Sequence, residues 1–255
     1  MRRPSGPPST VFLATIHCPL SQRINGSPGR KVEKRAALRA LADEIGDEEL
    51  RRIAADYVFI QSEKTGVGYI DDQPLAVYLD MHSAACKPAD RRTLANSLAS
   101  FATEALGDGI ENCVVASPHE GNVIVTSTVA ELLGLDFLMI RTGRAPRFGY
   151  PVEGVFLPGT SVILMDDLCM EASFLTRCVR SLRAYGINVA HCVCLFERLD
   201  GDAREGLAGV GVELHAKYQI DDDILRELKR SGQLVRTPSD ERPPANKHRG
   251  ENGSI

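Results

Sequence analysis

Apolar residues in the middle of the chain follow two periods, one typical of strands and one typical of helices. Short apolar runs such as NCVVAS (112–117) predict buried strands, and segments with helical spacing follow them. Glycine follows several of the helical segments and favours a helix end. The predicted strands are 76–81, 112–117, 136–142, 161–167, 188–198 and an edge strand at 212–218, and the predicted helices are 31–45, 47–55, 88–106, 121–133, 171–185 and 220–232.

Strands that are apolar throughout and alternate with helices predict an α/β fold. Its sheet is expected to be mostly parallel, doubly wound, with helices on both faces. In such sheets ligands bind at the carboxyl ends of the strands. Four loops with polar or charged residues follow predicted strands and should meet at that edge, namely 118–122, 141–149, 166–167 and 197–200.

The two ends of the chain differ in composition from the middle. Residues 1–30 are rich in Pro, Gly and Ser, which predicts a flexible arm. Residues 237–255 are polar with almost no apolar side chains, which predicts a disordered tail. We therefore expect one folded domain over 31–236, with a small helical part at 31–75 and a core at 76–236.

Composition and charge exclude several classes of protein. The chain has 30 basic and 34 acidic residues, a net charge of −4, so neither a nucleic acid nor a membrane surface is an expected partner. No apolar run approaches the roughly 20 residues of a membrane span, and the N-terminus is a poor secretory signal. Seven cysteines without a CxxC pair predict reduced thiols and a cytoplasmic location. His and Cys do not cluster at ligand spacing, which argues against a zinc site.

Two adjacent carboxylates, Asp166 and Asp167, come directly after the apolar run VILM. At the end of a strand both side chains can turn toward a ligand held above the loop. Ribose hydroxyls can donate to them, and Mg²⁺ can be held through water. A single Asp here would be explained as a helix N-cap. Two acids at a buried strand end favour ligand contact.

This motif and the segments around it resemble the type I phosphoribosyltransferases, orotate phosphoribosyltransferase in particular. The DD pair, tight loop and helix resemble the family's motif for phosphoribosyl diphosphate (PRPP). The segment AVYLDMHSAACKPADRRTLANSLASFA resembles the family's "YiDlR" strand, turn and helix, VVASPHEGN its pyrophosphate loop, and CLFERLDGD the strand end that binds the base. The resemblance covers roughly residues 75 to 235. It implies the family's mostly parallel α/β sheet with a small N-terminal helical hood.

The resemblance also implies a reaction. A ring nitrogen of a base attacks C1 of PRPP, and pyrophosphate leaves with Mg²⁺ through a transition state like an oxocarbenium ion. The protein mainly positions the substrates and neutralises the leaving group. The implied protein is a cytoplasmic homodimer of nucleotide (pyrimidine) metabolism that binds small molecules. Mg²⁺ is its implied cofactor, bound through the substrate and through water at Asp166 or Asp167, with no direct protein ligand.

The resemblance gives matching residues a role, and most of them also have a purely structural explanation. Asp166 and Asp167 would hold the ribose hydroxyls. Arg198 would bind a carboxylate of the base, although taken alone it is explained as a solvated residue paired with Glu197 or Asp200. The remaining candidates are the pyrophosphate loop Pro118, His119, Glu120 and Gly121, the basic loop Arg141, Arg144 and Arg147, the phosphate loop Cys169, Met170, Glu171, Ala172 and Ser173, and the substrate contacts Asp80 and Lys64.

The phosphate loop departs from the family pattern, and its acid raises a question. The family has T-T-G-x-S where this chain has MEASF (170–174). A carboxylate at Glu171 close to a phosphate dianion would cost about 1–4 kcal/mol per charge pair. The same carboxylate at a helix start would be favourable by about 0.3–1 kcal/mol. Glu171 either occupies the anion site itself or points to solvent and leaves the site open.

Two functions are compatible with these residues. The first is an enzyme that transfers a (phospho)ribosyl group from PRPP or a related donor to an aromatic, carboxylate-bearing acceptor, in a specialised nucleotide or nucleoside pathway. The surviving acid pair and Arg198 favour it. The alternative is a non-catalytic ligand-sensing or regulatory protein with the same fold. The altered phosphate loop and the acids Glu120 and Glu171 favour that alternative.

Overall fold

A computed structural model describes residues 47–60, 69–70, 73–74, 76–119, 123–141 and 151–231. The predicted arm (1–30), helix (31–45) and tail (237–255) lie outside these ranges, as do the candidates Lys64, Glu120, Gly121, Arg144 and Arg147. Among the described residues, the structure contains no helix that is long and apolar enough to cross a membrane.

A small N-terminal layer precedes the main sheet. It contains α1 (Asp47–Asp56), β1 (Val58–Ile60), β2 (Tyr69–Ile70), β3 (Gln73–Pro74), β4 (Val77–Leu79) and α2 (Met81–Cys86). The predicted strand 76–81 is shortened to β4, which pairs antiparallel with β1 in a separate two-stranded sheet. The described N-terminal part is therefore not purely helical. Strand 76–81 was expected in the core, but strand periodicity does not show which sheet a strand joins.

The core elements alternate along the chain as predicted. They are α3 (Pro88–Leu106), a 3₁₀ helix (Gly107–Asn112), β5 (Cys113–Pro118), α4 (Val123–Leu133), β6 (Phe137–Ile140), β7 (Val152–Glu153), β8 (Ser161–Cys169), α5 (Ala172–Arg183), β9 (Asn188–Arg198), α6 (Ala203–Gly209), β10 (Glu213–Ile220) and α7 (Asp222–Ser231). The six strands follow the order β10-β9-β8-β5-β6-β7. Among the described strands of this sheet, only the edge strand β7 runs antiparallel. The predicted mostly parallel α/β fold is confirmed.

Apolar side chains fill both faces of the sheet, because successive residues of a strand point to opposite sides. In β8, Ile163 and Met165 join the core under α3 and α4, whereas Val162 and Leu164 join the core under α5. All four side chains are at most 2% exposed. Burial on both faces explains the continuous apolar run that precedes the two acids.

The ladder between β8 and β9 extends further than the sequence predicts. Predicted strand 161–167 ends at the acid pair, but Leu168 pairs with Phe196 and Cys169 with Glu197. Asp166 and Asp167 therefore lie within β8, three and two residues before its last residue. This pairing removes Cys169 from the phosphate loop and turns it into the core under α5, where it is fully buried.

Candidate active site

A cavity of about 370 Å³ opens at the carboxyl end of β8. Tyr78 and His82 line it from the N-terminal layer, and Asp166 and Asp167 line it from the sheet. Glu171, Met170 and Phe174 line the side at which α5 begins. The cavity thus joins the two acids to the start of a helix, where backbone N–H groups can bind an anion.

The two acids are buried and close to each other. Each is 4% exposed, and Asp166 accepts a hydrogen bond of 2.9 Å from the backbone N–H of Asp167. Burial raises the pKa of Asp166 well above its ordinary value, and the neighbouring carboxyl of Asp167 raises it further. The fold therefore favours the neutral form of Asp166. Ionisation of this carboxyl in the folded state destabilises the domain.

Asp166→Asn is expected to stabilise the protein at neutral pH. Because the pKa of Asp166 is raised in the folded state, folding binds a proton there, and stability falls as pH rises above the unfolded pKa of about 3.9. The neutral amide removes that loss, so Tm at pH 7.5 should rise by about 2–4 °C. Thermal unfolding at pH 4 and pH 7.5 measures this, and an equal gain at both pH values would contradict the explanation.

The start of α5 is capped by an acid from another loop. The backbone N–H of Ala172 donates to Oδ1 of Asp202 over 2.7 Å. Glu171, which is the residue before the helix, gives it no side-chain cap among the described residues. The cap at the first N–H of α5 therefore comes from Asp202 and not from Glu171.

Two glycines hold the loop of Asp202 against α5. A Cβ atom at Gly201 would lie 2.2 Å from the Met170 carbonyl oxygen, and one at Gly206 would lie 2.1 Å from Cβ of Ala172. In addition, the N–H of Asp202 donates to the Met170 carbonyl over 3.1 Å. Only glycine permits so close an approach. Asp202 was not among the residues predicted from the sequence. The available signal was GDAREG (201–206), in which two glycines flank a helix-capping acid.

Arg198 is buried in a cluster of ion pairs at the end of β9. Its side chain is 1% exposed and contacts Asp222 over 2.6 Å and both carboxylate oxygens of Asp200. Its Nη1 donates to the Val77 carbonyl over 3.3 Å. The sequence analysis offered pairing with Asp200 as one explanation for Arg198. The Arg198 side chain is not solvated, however, and its contact with Asp222 was not predicted.

No protein-family model matches the chain. It is 28% identical over 139 residues to orotate phosphoribosyltransferase of Methanococcus maripaludis, spanning 54% of this chain and 72% of that relative. The solved orotate phosphoribosyltransferase of Aeropyrum pernix superposes with a TM-score of 0.56 at 20% identity, covering 70% of this chain and 98% of that one. The Mycobacterium tuberculosis enzyme in complex with PRPP superposes at 0.53, with 17% identity and coverages of 71% and 96%.

The chain has the type I phosphoribosyltransferase fold. The resemblance seen in the sequence is confirmed, with orotate phosphoribosyltransferases among the relatives. Within this phosphoribosyltransferase fold, the acid pair, Met170 and Glu171 meet at the cavity, while Ala172 and Ser173 form the first residues of α5.

The other candidate residues lie at separate positions. Arg141 follows β6 and pairs through its guanidinium with Glu153. Pro118 ends β5, and the backbone N–H of the exposed His119 donates to the Ile140 carbonyl over 2.7 Å. Asp80 caps α2, accepting from the N–H of Ser83 over 3.0 Å and from its hydroxyl over 2.6 Å. The substrate roles of these residues stay predictions.

Proposed function

We propose that the protein transfers a ribosyl group from PRPP or a related donor to an aromatic acceptor that carries a carboxylate. The observation that carries this proposal is the buried pair Asp166 and Asp167, which faces a cavity in front of the N-terminus of α5. The sequence similarity to orotate phosphoribosyltransferases supports it. Three further proposals rest on other grounds: the homodimer on the resemblance alone, the cytoplasmic location on the cysteine content, and the specialised nucleotide pathway on the altered phosphate loop.

The acid pair suits the ribose of such a donor. The carboxylate oxygens can accept hydrogen bonds from two hydroxyls, and a protonated Asp166 can also donate one. These contacts orient the sugar so that C1 faces the acceptor nitrogen. As the C1–O bond to pyrophosphate breaks, positive charge develops on the ring, and a nearby carboxylate stabilises it.

Mg²⁺ is the cofactor proposed for this site. Carboxylate oxygens are hard donors that hold Mg²⁺ through water, and both Asp166 and Asp167 line the cavity. The burial that favours the neutral form of Asp166 fits water-mediated better than direct ligation. When bound, Mg²⁺ would neutralise charge on the pyrophosphate.

The acceptor is proposed to lie between the aromatic side chains of the cavity. Tyr78 and Phe174 line it from opposite elements, β4 and the first turn of α5. Aromatic rings bind other rings by stacking or by edge-to-face contact. Arg198 can take the acceptor's carboxylate only if Asp200 or Asp222 releases part of its guanidinium.

The carboxylate of Asp202 opposes binding of a donor's 5′-phosphate at the start of α5. A 5′-phosphate at the start of α5 would meet a carboxylate that already accepts the Ala172 N–H. Two like charges about 4 Å apart repel by about 1–4 kcal/mol at the dielectric of bulk water to that near a surface. We therefore propose that donor binding displaces Asp202, or that the donor contributes little energy through its 5′-phosphate.

Asp202→Asn is expected to bind PRPP with Mg²⁺ at least tenfold more tightly than the wild type. The amide oxygen can still accept from Ala172, so the cap is retained while the repelling charge is removed. Calorimetric titration of the wild type, Asp202→Asn and Glu171→Gln separates the two acids. Glu104→Gln, an exposed acid in the last turn of α3, is the matched control and should leave the affinity unchanged.

Turnover tests the proposed function directly. Release of pyrophosphate from PRPP is measured with Mg²⁺ and a panel of aromatic carboxylates, orotate among them, for the wild type and Asp202→Asn. Pyrophosphate release that depends on the acceptor supports the enzyme. PRPP binding in neither protein would contradict it.

A non-catalytic ligand-binding protein is the second candidate. It is favoured by one observation, namely that the chain's own acids engage both anion-binding positions, Asp202 at α5 and Asp200 with Asp222 at Arg198. Such a protein would bind ligand in the calorimetric titration. It would form no nucleotide product with any acceptor, in the wild type or in Asp202→Asn.

A further inference from the structure

Two histidines and one glutamate meet near the amino ends of β9 and β10. Nδ1 of His191 lies 3.2 Å from Nε2 of His215. Oε2 of Glu213 lies 3.7 Å from the first of these nitrogens and 3.6 Å from the second. Three potential ligand atoms of a metal ion thus form a nearly equilateral triangle.

The size of this triangle matches tetrahedral zinc. Zinc binds imidazole nitrogen and carboxylate oxygen at about 2.0–2.2 Å, which places neighbouring ligand atoms of a tetrahedron about 3.3–3.5 Å apart. The three observed separations of 3.2, 3.6 and 3.7 Å lie within a few tenths of an ångström of that value. Two His and one Glu is also a donor set of zinc sites that keep one open position.

Although the spacing of His and Cys along the sequence argued against a zinc site, strand register brings three ligands together, and we infer that His191, Glu213 and His215 form a binding site for a divalent transition-metal ion of the zinc class. The open position faces a cavity of about 420 Å³, which the three residues line together with Leu106 and Cys113. The metal would carry water or a small anion there. The site lies apart from the proposed active site, since Arg198 follows His191 by seven positions in β9, roughly 23 Å along an extended strand.

The parallel pairing of the two strands builds the cluster. Glu213 is the direct register partner of His191, and His215 follows Glu213 by two residues, so all three share one face of the sheet. His215 is the least exposed, with 17% of its side chain accessible, against 39% for His191 and 67% for Glu213. A metal ion could therefore enter without rearrangement of the core.

The positive charge of Arg204 lies close to the cluster. Arg204 donates to the Leu214 carbonyl over 2.9 Å, between two of the ligands in sequence. Its guanidinium is paired with Glu197 through Nε over 2.7 Å and through Nη2. This pairing offsets the repulsion that a bare arginine would exert on a cation.

Zinc titration of the full-length protein tests the inference. The protein is stripped with a chelator and titrated with Zn²⁺ by calorimetry, and bound metal is counted by mass spectrometry. We expect one equivalent per chain that the double variant His191→Ala/His215→Ala loses, and at least tenfold weaker binding in Glu213→Gln. Glu104→Gln makes the same charge change at an exposed position and should bind like the wild type.

Two further measurements distinguish loss of the metal site from a folding defect of the double variant. Zn²⁺ should raise Tm of the wild type and of Glu104→Gln but not of the double variant, whose metal-free Tm is measured separately. Co²⁺ bound to the wild type should show the intense visible absorption of tetrahedral coordination, which requires no variant. Equal zinc binding by the wild type and the double variant, or the weak spectrum of octahedral Co²⁺, would overturn the inference and leave only a hydrogen-bonded histidine pair.

Discussion

Asp167→Asn is expected to lower kcat/KM for pyrophosphate release by about 10²–10³-fold. The substitution keeps the shape of the side chain but removes a buried carboxylate from the cavity wall. Loss of one electrostatic contact that strengthens in a transition state typically costs about 2.7–4 kcal/mol. Steady-state kinetics with PRPP, Mg²⁺ and the best acceptor measures it.

Asp166→Asn is the matched comparison for this experiment. Burial already favours the neutral form of Asp166, so the amide replaces a side chain of the same charge. We expect its loss of activity to be at least tenfold smaller than that of Asp167→Asn. If both substitutions reduce activity equally, the two carboxylates act as one unit, and the distinction drawn from burial is incorrect.

Arg198→Met is expected to destabilise the fold by about 2–3 kcal/mol, a drop in Tm of about 4–12 °C. Breaking a buried ion pair typically costs about 3–5 kcal/mol, because a charge is left without its partner. That cost is reduced here since Asp200 and Asp222 keep 50% and 39% of their side-chain exposure and can be hydrated. Chemical denaturation at pH 7 measures the change.

Arg52→Met is the control for that experiment. Arg52 also contacts three carboxylates, those of Glu49, Asp56 and Asp90, but its side chain is 48% exposed. Exposed ion pairs contribute about 0–1 kcal/mol, so the control should lose far less stability. Equal losses of unfolding free energy in the two variants would show that burial of the Arg198 cluster adds nothing to stability.

The stabilisation by Arg198 is expected to decrease in strong acid. Hydrogen bonding to Arg198 lowers the pKa of Asp200 below its ordinary value. The stability that results is present above the unfolded pKa of about 3.9 and is lost as pH falls through the lower, folded value. The difference between the wild type and Arg198→Met should therefore narrow in strong acid, which acid unfolding of both proteins can measure.

The Arg198 cluster also connects parts of the chain that the proposed reaction must coordinate. The guanidinium contacts the carbonyl of Val77 in β4, Asp200 after β9 and Asp222 at the start of α7. An acceptor carboxylate that displaced Asp200 would loosen the same loop that carries Asp202. Acceptor binding and access of the donor's 5′-phosphate are therefore expected to be coupled.

Elements with strong local signals were predicted well. Helix 88–106 and strand 188–198 have the predicted bounds. The helix has Pro at its first position and Gly107 with φ of 57° after its last, so both ends are encoded locally. The short elements β1, β7 and α6 were missed, because two to seven residues carry too little periodicity.

The amino-acid sequence by itself determined the alternation of apolar strands and helices, the position of the two acids after VILM, and the resemblance to phosphoribosyltransferases. These properties depend on neighbouring residues and on their order. Only the tertiary structure decided that Asp202 caps α5, that Asp222 joins Arg198, and that His191 meets Glu213 and His215. Residues 22 to 30 positions apart form these contacts through strand register and loop packing, which local periodicity does not encode.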